Sequence, residues 1–132
     1  MIAGMDRKTV LVVDDEPENL MAYREILTDM GHRAITETDG GSALHCVDTT
    51  EKIDLVITDL NMPNMDGYEF IKTLRESALY KDLPVVILSS LSDQTSKDLG
   101  LKVGAHSYLV KPFSIEKVQY EVSKYLSWVD QE

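Results

Sequence analysis

The chain has 132 residues, a single cysteine, 43% apolar side chains and a formal net charge of −10. One ordinary domain fills that length, the apolar share excludes a disordered chain, and one cysteine excludes an internal disulfide or a Cys-rich metal centre. The acid excess argues against a nucleic-acid surface or an anionic membrane and favours a basic partner or a site for cations.

Residues 8–128 read as one unit, with short polar tails at 1–7 and 129–132. No apolar stretch approaches the roughly 18 residues of a membrane span, and the start lacks the apolar core of a targeting segment. Thr9-Val10-Leu11-Val12-Val13 is a continuous β-branched run that stops at Asp14-Asp15. Such a run suits a strand buried on both faces of a parallel sheet. Pro17 suits the first turn of a helix, in which Leu20, Tyr23, Ile26, Leu27 and Met30 recur at helical spacing before Gly31 ends it. Arg33 to Thr38 predicts a second strand, and Gly40-Gly41-Ser42 opens a helix over Ala43, Leu44 and Val47. Asp54 to Thr58 predicts a third strand, ending at Asp59. Turn chemistry over Met62 to Gly67 leads into a helix carrying Tyr68, Phe70, Ile71 and Leu74. Pro84 to Leu88 predicts the fourth strand, ending at Ser89-Ser90, and a polar helix over Asp93 to Val103 follows. Ser107 to Val110 is the fifth, ending at Lys111-Pro112. Ser114 caps a last helix with Ile115, Val118, Val122, Tyr125 and Leu126 turned inward.

Strand and helix therefore alternate five times, which implies a parallel sheet with helices on both faces. The fold class is α/β, flavodoxin-like (βα)5 with strand order 2-1-3-4-5. Its ligand crevice lies beyond the strand C-termini, between strands 1 and 3. The polar residues that break the apolar runs do so at those C-terminal ends: Asp14 and Asp15, Asp59, Ser89 and Lys111. Three converging carboxylates raise a carboxyl pKa unless a cation intervenes. A hard divalent ion that takes about six oxygens fits that need. Lys111 brings a mobile charge with three donors suited to a phosphoryl oxygen, and Ser89 brings a hydroxyl. A carboxylate can itself be a nucleophile and form an aspartyl phosphate.

This set resembles the receiver domain of two-component response regulators, of the stand-alone chemotaxis type. The residues that carry the resemblance are Asp14-Asp15, the segment Asp59-Leu60-Asn61-Met62-Pro63-Asn64-Met65-Asp66-Gly67, Ser89, Gly104-Ala105, Tyr108 and Lys111-Pro112-Phe113. Asp59 and Ser89 lie 30 positions apart, Ser89 and Lys111 22 apart, as in that family. The resemblance implies that Asp59 is the phosphoacceptor. It implies that Asp15 and Asp59 hold Mg²⁺ (with Mn²⁺ as a substitute) together with the Asn61 carbonyl, and that Asp14 acts through metal-bound water. Lys111 and Ser89 would contact the phosphoryl group. Tyr108 would turn inward as Ser89 moves, and Lys111–Pro112 would be cis, an isomer that a tertiary amide tolerates. The implied donor is a histidine kinase or histidine phosphotransfer domain in the cytoplasm, and a downstream target protein would dock on helix 4, strand 5 and helix 5. Such a protein catalyses its own phosphorylation and dephosphorylation without conventional multiple turnover.

Two features depart from the family: Ser89 stands where Thr is commoner, which frees its rotamer, and Ser90 stands where Ala or Gly is usual. Other readings stay open: a receiver cut from a hybrid kinase or a larger regulator, or a receiver-like module that works without phosphorylation. A haloacid-dehalogenase type hydrolase would need an acid two residues after the nucleophile, where this chain has Asn61. FMN phosphate would meet repulsion at Asp14-Asp15-Glu16-Pro17. Cys46 reads as a small buried apolar residue. Trp128 should lie far from the site, so that Mg²⁺ quenches it weakly.

Overall fold

In the computed structural model, residues 7–50 and 52–129 are described, without the side chains of 128 and 129. The expectation for Trp128 therefore falls outside the described residues. Five strands and five helices alternate: β1 (Thr9–Val13), α1 (Pro17–Asp29), β2 (Arg33–Glu37), α2 (Gly40–Thr49), β3 (Leu55–Thr58), α3 (Gly67–Glu76), β4 (Val85–Ser89), α4 (Gln94–Val103), β5 (Ser107–Val110) and α5 (Ile115–Val129). All four pairings are parallel and the order is β2-β1-β3-β4-β5. This is the flavodoxin-like arrangement expected from the alternation.

Side chains alternate faces along a strand, and the sheet uses this to build two cores. Val10 and Val12 of β1 join α1 and α5 in one cluster, with Leu20, Tyr23, Leu27, Val118 and Val122. Leu11 and Val13 join α2 and α3 in the other, with Val47, Phe70, Ile71 and Leu74. Each buried leucine or phenylalanine contributes roughly 1.5–3 kcal/mol relative to exposure.

Helix starts are set by short polar side chains. Asp39, Asp66 and Asp93 accept from the backbone N–H three residues on, at 2.8, 2.9 and 3.0 Å, and Ser114 does so at 3.1 Å. Each satisfies a donor that the first helical turn leaves open. Gly31 ends α1 with a φ of 89°, a conformation that costs an L side chain more than glycine.

Two expectations need correction, the burial of Ile115 and the strand bounds. Ile115 is 55% exposed rather than inward. It is the first residue of α5, one turn before the helix meets the core at Val118; Phe113 packs against that core instead. Tyr68 and Leu44 lie on the helices expected for them and are partly buried, and the Tyr68 hydroxyl bonds the Ser96 carbonyl at 3.1 Å. Thr38, Asp54 and Pro84 lie outside the strands predicted to include them. Cys46 is buried, as expected, with Sγ 3.4 Å from the Thr50 hydroxyl.

Candidate functional site

The parallel order places the C-terminal ends of β1 and β3 side by side. The Asp59 amide extends their ladder to the Val13 carbonyl at 2.9 Å, so Asp14 and Asp59 emerge as neighbours. One carboxylate oxygen from each of Asp14, Asp15 and Asp59 lies within 4.8 Å of the others. Lys111 comes from β5, two strands beyond β3. At the usual spacing that is about 10 Å, a distance only a long side chain bridges. Its Nζ donates to both Asp14 Oδ2 and Asp59 Oδ2, at 3.1 Å each. Burial alone would push the lysine pKa down, but Asp59 and Asp14 outweigh burial and hold it above its ordinary value.

The three carboxylates differ in how much of them the protein uses. Asp14 is 1% exposed. Its Oδ1 accepts from the Glu16 amide at 2.9 Å, and its Oδ2 accepts from Asn19 Nδ2 at 3.2 Å as well as from Lys111. It both makes a local turn at the mouth of α1 and pairs with the lysine. Asp59 is half-buried, and its Oδ1 takes the Leu60 amide at 2.6 Å. Asp15 is exposed. Hard oxygens gathered so closely suit a magnesium-sized cation, which keeps several waters and needs few protein ligands. Asp15 and Asp59 keep the most lone pairs for it. Asn61 is exposed, two residues after Asp59, in the turn that leads to α3. The turn closes tightly because residue 67 is glycine: a Cβ there would run into the Asp59 carbonyl and the Leu60 backbone.

Ser89 and Tyr108 form a second cluster beside the first. Ser89 is fully buried, and its hydroxyl accepts from the Leu91 amide at 3.1 Å. The Tyr108 hydroxyl donates to the Leu91 carbonyl at 2.7 Å. Burial raises the Tyr108 pKa; a hydrogen bond with the Ser89 hydroxyl opposes that, and the Asp93 and Asp59 charges add to it. The half-buried ring packs against α4, where a Cβ at position 100 would press on Ile87 Cδ1 and on the ring itself. Ser90 is exposed. Lys111–Pro112 is cis.

Asp14, Asp15, Asp59 and Lys111 thus converge, while the Ser89 hydroxyl is held by the Leu91 amide, whose carbonyl takes the Tyr108 hydroxyl. Asn19 was missed. The signal for it is weak: a polar residue at the third position of a helix that begins just after an acidic strand end. Tyr23, counted only as a core residue, stacks on Phe113 with ring centroids 5.6 Å apart. Burial, then the Asp14 and Asp59 charges, push its pKa well up.

A 2-1-3-4-5 parallel sheet with an acidic cluster and a lysine at its C-terminal edge is the architecture of a signalling receiver. Over residues 10–123 the chain matches the response regulator receiver domain family, and it belongs to that family. It is a receiver domain of two-component signalling. The alkaline phosphatase synthesis transcriptional regulatory protein PhoP of Bacillus subtilis is 38% identical over 119 residues, covering 90% of this chain and 48% of that protein. The sensor protein EvgS of Escherichia coli is 34% identical over 119 residues, covering 90% of this chain and 10% of that one. The chemotaxis protein CheY4 of Vibrio cholerae superposes with a TM-score of 0.86 at 34% identity, over 92% of this chain and 100% of that one. The chain spans about half the length of several curated relatives it matches. No helix among the described residues is long and apolar enough to cross a membrane.

Proposed function

We propose that the domain is a phosphorylatable switch in which Asp59 accepts a phosphoryl group from phosphohistidine on a histidine kinase or a histidine phosphotransfer domain. The observation that carries this reading is the Lys111 ammonium, 3.1 Å from both Asp14 and Asp59, beside a third carboxylate. In the reaction an Asp59 oxygen attacks phosphorus, the P–N bond breaks, and the imidazole nitrogen leaves with the bonding pair and takes a proton. Phosphoryl transfer needs positioning and charge neutralisation more than covalent help from the protein. Lys111 supplies a donor to the transferred group, and the Ser89 hydroxyl supplies another once it leaves the Leu91 amide. Mg²⁺ or Mn²⁺, held by Asp15, Asp59 and the Asn61 carbonyl with Asp14 behind a bound water, would neutralise charge between the carboxylates and the incoming group. Hydrolysis reverses the state: water attacks phosphorus and Asp59 leaves as a carboxylate.

When Ser89 turns toward the phosphoryl group, it releases Leu91, whose carbonyl holds the Tyr108 hydroxyl, and the change reaches α4, β5 and α5, where a downstream target docks. Receiver domains work with histidine kinases and effectors, which supports these partner classes. A cytoplasmic setting follows from such a donor and agrees with the lone buried cysteine. The unit extends over 8–128, whether it acts alone or within a longer regulator or hybrid kinase.

The test is intact mass after incubation with acetyl phosphate, with and without Mg²⁺, beside Asp59→Asn. The expected result is a Mg²⁺-dependent gain of one phosphoryl group that the variant loses. Equal labelling of Asp59→Asn, or no labelling from either acetyl phosphate or a phosphorylated kinase, overturns the reading.

A further inference from the structure

Two segments carry the ends of the Lys111–Asp14 ion pair: the entrance to α1, just after Asp14, and the β5–α5 turn, which runs from Lys111 through Phe113. A second link joins the same segments deeper in the fold. Tyr23, 2% exposed on α1, lies face to face with Phe113, with the planes 20° apart. Phe113 is half-buried against the α1/α5 core and sits two residues after the lysine. Aromatic pairs in such offset stacks stabilise beyond the area they bury. The stack thus ties the turn that aims Lys111 to the helix that begins beside the lysine's target.

We propose that Tyr23 is a positioning residue for phosphoryl transfer: through its stack on Phe113 it holds the Lys111 turn so that the ammonium stays aimed at Asp59. This role rests on Asp59 being the phosphoacceptor. The ring does this work and the hydroxyl does not. The Tyr23 oxygen is buried and has no hydrogen-bond partner among the described residues. Losing it removes an unsatisfied polar group rather than a contact. Burial, with the neighbouring carboxylate charges, also keeps that phenol protonated, so it brings no charge to the site.

The experiment compares Tyr23→Phe, Tyr23→Leu, Phe113→Leu and the double leucine variant with the unaltered protein. Labelling of Asp59 by acetyl phosphate at saturating Mg²⁺ gives the rate, and calorimetry gives the Mg²⁺ dissociation constant. Tyr23→Leu and Phe113→Leu should each slow labelling about three- to tenfold, the range that one aromatic pair covers. The double variant should be no slower than the worse single, because both break one stack. Tyr23→Phe should label within about twofold of the unaltered protein, and the Mg²⁺ constant, set by the carboxylates, should not move in any variant. Loss in Tyr23→Phe as deep as in Tyr23→Leu overturns the proposal. So do unaltered rates in both leucine variants, effects that multiply in the double variant, or a Mg²⁺ constant that shifts in parallel with the rate. If Tyr23→Leu fails to fold, Phe113→Leu, at a half-exposed site, decides alone. An unaltered protein that never labels defeats the phosphoacceptor reading itself. Labelling that depends on Asp59 but ignores the stack defeats only the role of Tyr23.

Discussion

The two edges of the sheet both carry polar side chains at strand ends, yet they use them differently. At the N-terminal edge the partner is backbone. Asp54 Oδ2 accepts from the Thr9 amide at 2.9 Å, His32 Nδ1 from Lys8 at 3.3 Å and His106 Nδ1 from Val85 at 3.2 Å. These groups satisfy donors where strands begin. At the C-terminal edge side chains also pair with one another: Lys111 bridges Asp14 and Asp59, with the Asp15 carboxylate beside them. The difference lies in what the groups face: one edge turns its polar side chains onto strand-start amides, and the other gathers surplus negative charge that a cation and a phosphoryl group can use. A polar residue at a strand end is therefore not by itself a functional signal.

Substitutions sharpen the contrast. The largest effect expected is at Asp59: Asp59→Asn should take phosphoryl labelling from one group per chain to none by intact mass, with little loss of fold. Lys111→Ala comes next. Removing a donor aimed at developing charge in such a site costs about a hundredfold in rate, so labelling should continue slowly. The same variant leaves Asp14 and Asp59 without their ammonium. Its thermal midpoint should therefore rise more on adding Mg²⁺ than that of the unaltered protein, and equal rises would show that the lysine does not offset their repulsion.

The functional edge was the more legible of the two. Asp14, Asp59 and Lys111 each end a largely apolar run, and βα alternation in this length dictates which strand ends become neighbours. The N-terminal edge was opaque, because His32, Asp54 and His106 look the same in sequence whether they face water or a neighbouring strand's amide. The Ser89–Leu91–Tyr108 cluster depends on the β4–β5 register, Ile87 opposite Tyr108, which no local pattern encodes. Tyr23 shows the limit of periodicity: helical spacing identifies an inward residue but not that its ring meets Phe113 from the far end of the chain. Ile115 shows the converse, an apolar residue at the right spacing that lies before the helix reaches the core.

Asp54 tests the backbone role of the other edge. It is 5% exposed, with Lys52 3.5 Å from its second oxygen. Asp54→Ala leaves the Thr9 amide without its acceptor at the start of β1. Stranding one buried donor costs about 1–3 kcal/mol, measurable by urea unfolding. Labelling of Asp59 per folded molecule should stay unchanged. A stable variant with impaired labelling would reverse the assignment of the two edges.

The smallest effect expected is a pH dependence confined to the N-terminal edge. Both histidines accept a backbone N–H at Nδ1, so protonating that nitrogen breaks the bond. Burial pushes both pKa values down from 6.5. Lys8 adds to this at His32 and Arg75 at His106, while Asp54 and Asp82 oppose it respectively. The unfolded chain thus takes up protons at a higher pH than the folded one. Stability is complete above the ordinary histidine range and falls as pH drops through about 6.5 toward the lower folded values. The thermal midpoint should fall by a few degrees between pH 7.5 and 5.5, and replacing both histidines by asparagine should flatten that slope. The C-terminal edge should not follow: the ammonium of Lys111 titrates far above this window and keeps its charge through it. A midpoint that rises on acidification, or a slope that survives loss of both histidines, would show that the strand-start histidines are not held neutral by the amides they cap.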